Sequence, residues 1–339
     1  MAGYYFRLPP ITKLTISQQS AMRETKQIAL SGGPGTGKSV VSLWRHIINF
    51  ETNRKSLLLT FTTTLKEYLK AQCSNPNAKM NVKTSLRGKP TSATGLTEVI
   101  IDEAQDLPVS YYEGLKRITS KISYGADDSQ ILYPNQSSKQ SDLKKLFPVN
   151  TDCVLDKNFR NTKQIIEFTK VAFPDIYIPR GAIPDKNGEL PVLLISNGSR
   201  YEKTNSKQDS SILQIINSFG GGTDNIAILV PWKSDVDVFE NVIKDTINDY
   251  SIYYEDSVKF PNGCGEIKNV HITTFKSAKG LEFDIVIIPN FHKYKEICGQ
   301  FNIEWNDYYV GVTRTRSNLY LISNYDMPEF NSVTDKQIL

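Results

Sequence analysis

The sequence predicts an α/β protein of two successive domains, each a mostly parallel sheet flanked by helices. Three observations carry that expectation. Strand-like apolar runs at 27–31, 57–61, 99–102, 121–124 and 154–155 alternate with stretches at 39–50, 64–72 and 109–118 that mix apolar and polar residues at helical spacing. Alternation of this kind is what a parallel sheet needs, because each crossover between parallel strands consumes about a dozen residues or more. The rhythm then restarts: helix 163–173, strand 192–195, helix 211–219, strand 226–230, helix 236–247, strands 270–274 and 285–288, and a last strand 319–322. A chain of 339 residues is also long enough for about two domains. The division is expected near Asp156, giving domains of 1–156 and 157–339, with the stretch 174–188 as an entry loop into the second sheet.

Composition narrows the class. With 39% apolar and 22% charged residues, 20 Gly and 16 Pro, the chain reads as an ordinary soluble globular protein, which excludes disorder and collagen-like repeats. Forty basic against 36 acidic residues leave +4, too little to hold nucleic acid by bulk charge, though a local groove stays open. No short-period repeat supports a solenoid or propeller. Cys73, Cys153, Cys264 and Cys298 lack the close pairing that structural zinc uses and read as free thiols in a reducing compartment. His46, His271 and His292 are too scattered for a cluster, so no transition metal is expected. Residues 1–10 lack an apolar stretch of signal-peptide length, and the longest clean apolar run elsewhere, 285–288, has a strand's length. A cytoplasmic protein with no membrane partner is expected.

The sharpest local signal is Gly32-Gly33-Pro34-Gly35-Thr36-Gly37-Lys38-Ser39. It matches GxxxxGKS/T, follows the strand 27–31 and opens a helix, the context a phosphate-binding loop requires. Glycines let the N–H groups of Gly33, Gly35, Thr36 and Gly37 turn inward around phosphate oxygens, and the helix N-terminus adds partial positive charge. Lys38 then reaches the β and γ phosphates, and Ser39 coordinates Mg²⁺. Val99-Ile100-Ile101-Asp102-Glu103 is an apolar strand ending in two acids, the form of a Walker B element. Asp102 would hold the magnesium and Glu103 would polarise the attacking water. The plainer alternatives are a glycine turn ahead of a helix and an acidic N-cap. A P-loop alone leaves kinases, transporters and GTPases open.

An ordered series of further motifs resembles the superfamily 1 helicases of the UvrD, Rep and PcrA type. Leu14-Thr15-Ile16-Ser17-Gln18 resembles the Q motif, which implies that Gln18 reads the adenine edge. The segment from Leu59 to Thr64 resembles motif Ia, and Val82-Lys83-Thr84-Ser85 resembles motif Ib, implying strand contacts at Phe61, Thr62 and Thr84. Asp102-Glu103-Ala104-Gln105-Asp106 resembles motif II, and Ala126 to Tyr133 resembles motif III, whose glutamine, here Gln130, senses the γ-phosphate; Tyr133 closes that motif as a further strand contact. Asn158-Phe159-Arg160 resembles motif IV, implying Phe159 over the adenine and Arg160 on the γ-phosphate, tasks that suit a π face and a bidentate cation. TTFKSAKGLEF at 273–283 resembles motif V, which implies Glu282 on the ribose hydroxyl and Thr274 and Lys276 on the nucleic-acid backbone. Tyr308 to Arg314 resembles motif VI, whose arginine finger would be Arg314. The resemblance implies two RecA-like P-loop NTPase domains, ATP and Mg²⁺ as cofactors in the cleft between them, and ATP-driven translocation along single-stranded nucleic acid, DNA before RNA, from 3′ to 5′.

The sequence also departs from that pattern. The larger relatives carry inserted subdomains where this chain has only the stretches 86–95 and 255–269. Lys276 replaces the usual histidine of motif V, and Pro134-Asn135-Gln136 stands where relatives place a base-stacking tryptophan. Lys83, Arg87 and Lys89 form a local basic loop that could lie along a strand or simply be solvated. The missing insertions raise a second expectation: an ATPase switch or regulatory subunit whose closure signals to a protein partner such as a nuclease, without unwinding of its own. A P-loop kinase for a small molecule, the third class, leaves Arg160, the KGLEF element and Arg314 without a task.

Overall fold

The computed structural model describes residue 4 and residues 8–92, 94–178, 183–220, 222–298 and 305–339. These fall into two compact units, residues 8–159 in one and Tyr4, 160–178 and 183–339 in the other.

In the first unit, β1 (Ile28–Ser31), β2 (Ser56–Thr60), β3 (Val82–Thr84), β4 (Glu98–Ile101), β5 (Ile122–Ala126) and β6 (Thr151–Val154) form a sheet in the order β3-β2-β4-β5-β1-β6. All its described pairings are parallel. The helices are α1 (Ile16–Arg23), α2 (Lys38–Glu51), α3 (Thr63–Gln72), α4 (Pro76–Met80), α5 (Ser85–Gly88), α6 (Val109–Lys116) and α7 (Gln140–Leu146). Every residue of β2, β4 and β5 is buried. Helices cover both faces of such a sheet, which is why these strands read as unbroken apolar runs rather than alternating ones. β6 lies at the edge with alternating exposure, and its pairing with β1 starts at Thr151 opposite Ile28, so the strand expected at 154–155 lies earlier. β5 separates β1 from β4, which sets the ends of the phosphate-loop strand and the acidic strand about 10 Å apart, two strand spacings.

In the second unit, β7 (Val192–Ile195), β8 (Ile226–Val230), β9 (Ser251–Tyr253), β10 (Val270–Thr274), β11 (Phe283–Ile288), β12 (Thr315–Ser323) and β13 (Asp335–Ile338) run in the order β13-β7-β12-β11-β8-β10-β9, again with parallel pairings. α8 (Lys163–Ala172), α9 (Ser206–Phe219), α10 (Lys233–Ile243), α11 (Tyr294–Ile297) and α12 (Trp305–Thr313) complete it. Ile226, Ile228, Ile272, Ile285 and Ile287 from the sheet pack with Ile212, Ile216, Val236 and Phe239 from α9 and α10. α9 begins at Ser206, ahead of the expected 211, because the Asn205 side chain accepts the Gln208 N–H and caps it. α10 likewise starts at Lys233 and ends at Ile243, earlier than expected at both ends. The entry loop contains no helix or strand at 174–178 and 183–188, and its residues 179–182 lie outside the described ones. Among the described residues no helix is long and apolar enough to cross a membrane.

Candidate nucleotide site

The phosphate loop follows β1 and ends at the N-cap of α2, Gly37. Gly35 and Gly37 take φ of 71° and 88°, in the left-handed region where a Cβ is costly. A Cβ on Gly37 would also stand 2.6 Å from Gln18 Nε2, and one on Gly32 would overlap Leu155 O. Lys38 folds back over the loop, its Nζ donating to Gly32 O at 2.7 Å and Gly33 O at 3.0 Å and facing Asp127 Oδ2 at 3.4 Å. The ammonium thus sits on carbonyl oxygens that a phosphate's oxygens could replace. Thr36 Oγ1 donates to Gly33 O at 2.9 Å and tightens the loop from within.

Gln18 sits beside the loop through α1. Its Oε1 accepts the Thr15 N–H at 3.0 Å, closing a capping box, while its Nε2 donates to Thr36 O at 2.9 Å. One amide N–H and one lone pair remain, the pair an adenine edge requires. Phe159 stands 47% exposed next to the loop, with its N–H on Gly35 O at 2.9 Å and Lys157 Nζ 5.6 Å from its ring.

Asp102 follows β4 and is 1% exposed. Burial, then the adjacent Glu103 carboxylate, push its pKa up to about 7, against a hydrogen bond from Ser39 and the charge of Lys38. Its Oδ2 has no hydrogen-bond partner. A buried carboxylate that resists ionisation, beside a hydroxyl, is a hard-oxygen donor pair short of a cation, so Ser39 and Asp102 fit Mg²⁺. Glu103 takes φ 56° and ψ 46°, a left-handed conformation rare outside glycine and asparagine.

A hydrogen-bonded chain joins this acid to the lysine. Gln105 Nε2 donates to Glu103 Oε2 at 2.6 Å, and Gln105 Oε1 accepts the Asp127 N–H at 3.2 Å. The Asp127 carboxylate takes Gln130 Nε2 at 2.5 Å and Ser129 Oγ at 2.6 Å besides facing Lys38. Asp127 joins the candidate site through these contacts, although the sequence motif assigned it no task.

In the second unit the motif residues converge separately. Arg160 Nε pairs with Glu282 Oε2 at 3.0 Å, and Arg316 Nη1 faces Glu282 Oε1 at 3.6 Å. Arg314 is buried, with Nε donating to Val310 O at 3.1 Å and Nη1 to Leu281 O at 3.3 Å. Asn161 Nδ2 ties the motif IV turn to Thr313 O and Thr315 O at 3.1 and 2.7 Å. A Cβ on Gly311 would overlap the Phe275 ring, so that glycine lets the segment following β10 pack on α12. Arg316 and Asn161 carry no motif signal in the sequence.

The residues assigned to a nucleic-acid strand are placed less uniformly. Phe61 and Tyr133 come together, ring centroids 5.5 Å apart and tilted by 49°. The Thr62 hydroxyl accepts the Leu65 N–H at 3.2 Å and caps α3. Thr84 is the N-cap of α5 without a side-chain cap bond. Thr274 Oγ1 takes the Ser277 N–H at 3.3 Å in the turn after β10. Lys276 Nζ faces the buried Asp307 Oδ1 at 3.6 Å, so part of its charge is balanced within the unit.

Residues 255–326 match the family model described as the UvrD-like helicase C-terminal domain, a stretch that holds Thr274, Lys276, Glu282 and Arg314. No curated protein matches the chain. Among similar solved structures is the C-terminal domain of a possible DNA helicase from Lactobacillus plantarum WCFS1, at 18% identity and TM-score 0.38, covering 52% of this chain and 98% of that one. The PRRSV helicase is similar at 14% identity and TM-score 0.47, covering 91% of this chain and 54% of that one. Arterivirus nonstructural protein 10, a helicase, is similar at 13% identity and TM-score 0.43, covering 94% and 64%. The chain therefore spans about half to two thirds of the two viral helicases, and by sequence it resembles a UvrD-like helicase over its motif V and VI region.

Proposed function

We propose that the chain is an ATP-driven motor that moves along single-stranded nucleic acid, DNA before RNA, from 3′ to 5′. The observation that carries the reading is the chain Glu103–Gln105–Asp127–Lys38, which connects the acid that would handle water to the lysine that would hold phosphate. In this reading the loop amides take the phosphates and Lys38 exchanges Gly32 O and Gly33 O for phosphate oxygens. Ser39 and Asp102 would hold Mg²⁺, which would supply neutralisation of phosphate charge. Water attacks the γ-phosphorus as Glu103 accepts its proton, the bond to the ADP oxygen breaks, and Gln130 registers the loss of the γ-phosphate. Arg160 and Arg314 would stabilise charge on the transferred phosphoryl, and Phe159 and Gln18 would hold the adenine. Phe61, with Tyr133 packed against it, offers an aromatic face for a base.

Steady-state ATP hydrolysis with single-stranded DNA, single-stranded RNA, blunt duplex or no nucleic acid tests the proposal. Strong stimulation by one single strand is the expected result and names the track; a rate indifferent to all three refutes the motor. A second reading, a nucleic-acid-stimulated switch or subunit of a larger complex, is favoured by the short stretches at 86–95 and 255–269, which leave little chain for duplex-contacting subdomains. Stimulated hydrolysis without strand displacement by the isolated protein selects it.

A further inference from the structure

Glu282 is held by more than its own turn. Its carboxylate lies between Arg160 and Arg316, while its backbone N–H and C=O are both bonded by one side chain far away in the sequence. The Tyr4 hydroxyl donates to Glu282 O and accepts the Glu282 N–H at 3.0 Å. The Tyr4 ring packs edge-on against Phe283, with centroids 5.6 Å apart at 78°, and the Tyr4 N–H donates to Ile267 O at 3.0 Å. Backbone, ring and hydroxyl each anchor the tyrosine. Burial, and then the charge of Glu282, hold the phenol well above its usual pKa, so it stays a hydroxyl able to donate and accept together. Tyr4 belongs with the unit of residues 160–178 and 183–339, although the chain from residue 8 to 159 forms the other unit.

We infer that Tyr4 is a positioning residue for Glu282, fixing the reach of that carboxylate to the ribose hydroxyls of the nucleotide and hence the sugar specificity of the site. The inference rests on the proposed role of Glu282 at the ribose. A phenol bonded to both the N–H and the C=O of one residue fixes the orientation of its backbone, and the carboxylate hangs from that backbone by a short side chain. A hydrogen bond weakens steeply when its donor and acceptor drift by a few tenths of an ångström or lose alignment. Tyr4 itself touches no substrate in this scheme.

The test is titration calorimetry of the full chain with Mg²⁺ and ADP, 2′-deoxy-ADP or 3′-deoxy-ADP, on the wild type, Tyr4→Phe and Glu282→Gln. Tyr4→Phe keeps the ring against Phe283 and removes only the hydroxyl; far-UV circular dichroism establishes that it is folded. The wild type is expected to bind ADP more tightly than at least one deoxy analogue. Tyr4→Phe is expected to weaken ADP about fivefold, one hydrogen bond's worth, while leaving the discriminated analogue unchanged. Tyr4→Phe with wild-type discrimination, alongside a Glu282→Gln variant that has lost it, overturns the role of Tyr4 and leaves that of Glu282 standing. Equal weakening of all three nucleotides by Tyr4→Phe also overturns it, since a general loss of structure would do the same. Wild-type discrimination in Glu282→Gln, or none in the wild type, overturns the ribose reading and the inference with it.

Discussion

Arg45 lies on the buried face of α2, the helix that begins at the phosphate loop, and is 1% exposed. Its Nε donates to both oxygens of Glu98 at 2.8 and 3.1 Å, and its Nη2 lies 2.8 Å from Glu98 Oε1. Its remaining donors reach Ala21 O at 3.3 Å, Glu24 O at 2.6 Å and Lys26 O at 2.6 Å, around the C-terminal end of α1. Glu98, at the start of β4, also accepts from Asn49 Nδ2 at 2.8 Å and from the Ser123 hydroxyl. The two charges do not depend on each other equally. Without Glu98 the guanidinium keeps three carbonyls, two of them, Ala21 O and Glu24 O, at the C-terminal end of α1, where a cation is favoured. Without Arg45 the carboxylate keeps two neutral donors and stays buried. Arg45→Met is therefore expected to cost about 3–5 kcal/mol, the range for stranding a buried charge. Glu98→Gln, which preserves an acceptor of the same shape, is expected to cost about 1.5–3 kcal/mol for the lost charge-assisted bonds. With a urea m-value of about 2 kcal/mol/M, the midpoints fall by about 2 M and about 1 M. Trp44 reports on this unit, its Nε1 bound to Pro9 O at 2.9 Å, so urea melts followed by its fluorescence in a Trp232→Phe, Trp305→Phe background give the values. A Glu98→Gln loss equal to or larger than that of Arg45→Met refutes the asymmetry, and losses below about 0.5 M in both refute the network's contribution.

Three further outcomes are expected. Lys38→Ala removes the donor that caps Gly32 O and Gly33 O and should weaken ATP at least about tenfold and abolish turnover, measured by calorimetry and phosphate release; retained turnover excludes the phosphate role. Arg314→Ala should leave ATP bound while slowing hydrolysis at least about a hundredfold, and near-normal turnover sinks the finger assignment. Burial pushes His46 and His271 down to about 4, so between there and the ordinary 6.5 the unfolded chain binds protons that the folded chain refuses. Their stabilising contribution is complete above pH 6.5 and is lost as pH falls toward 4. From pH 7.5 to 5.5 the wild type should lose about 1.3 kcal/mol for each ring relative to His46→Asn or His271→Asn. Taking the difference between wild type and variant cancels Asp102, whose raised pKa of about 7 acts with the opposite sign; a difference that does not change with pH refutes the assignment.

What the sequence disclosed and what it withheld divide along sequence distance. The phosphate loop and the Asp102–Glu103 pair were legible because their geometry is local: glycines, a strand and a helix within one short stretch fix the loop whatever the rest of the chain does. β3, β9 and β13 escaped because three or four residues, one of them the polar run Asp335–Ile338, carry no period to read. Arg45 with Glu98, Arg316 with Glu282 and Tyr4 with Glu282 are contacts between distant positions, and no periodicity encodes them. Thr62 carries a second, local reading beside its expected strand contact. A threonine just ahead of a helix is an N-cap on local grounds, and the structure uses its hydroxyl for that.

Glu103 is where local preference and the site disagree. Among the described residues the other non-glycine positions with positive φ are Asn53, Asn197 and Asn290, the residue type that tolerates the left-handed region best. Glutamate gains nothing from that conformation and costs about 1 kcal/mol or more there. The sequence keeps it at the one turn from which its carboxylate meets Gln105, and through Gln105 and Asp127 the lysine of the phosphate loop. Glycine would relax the backbone and end that chain at Gln105. A left-handed backbone kept for a carboxylate beside Asp102, with no side-chain cap bond, separates this acid from an ordinary helix cap and supports the role proposed for Glu103 in hydrolysis.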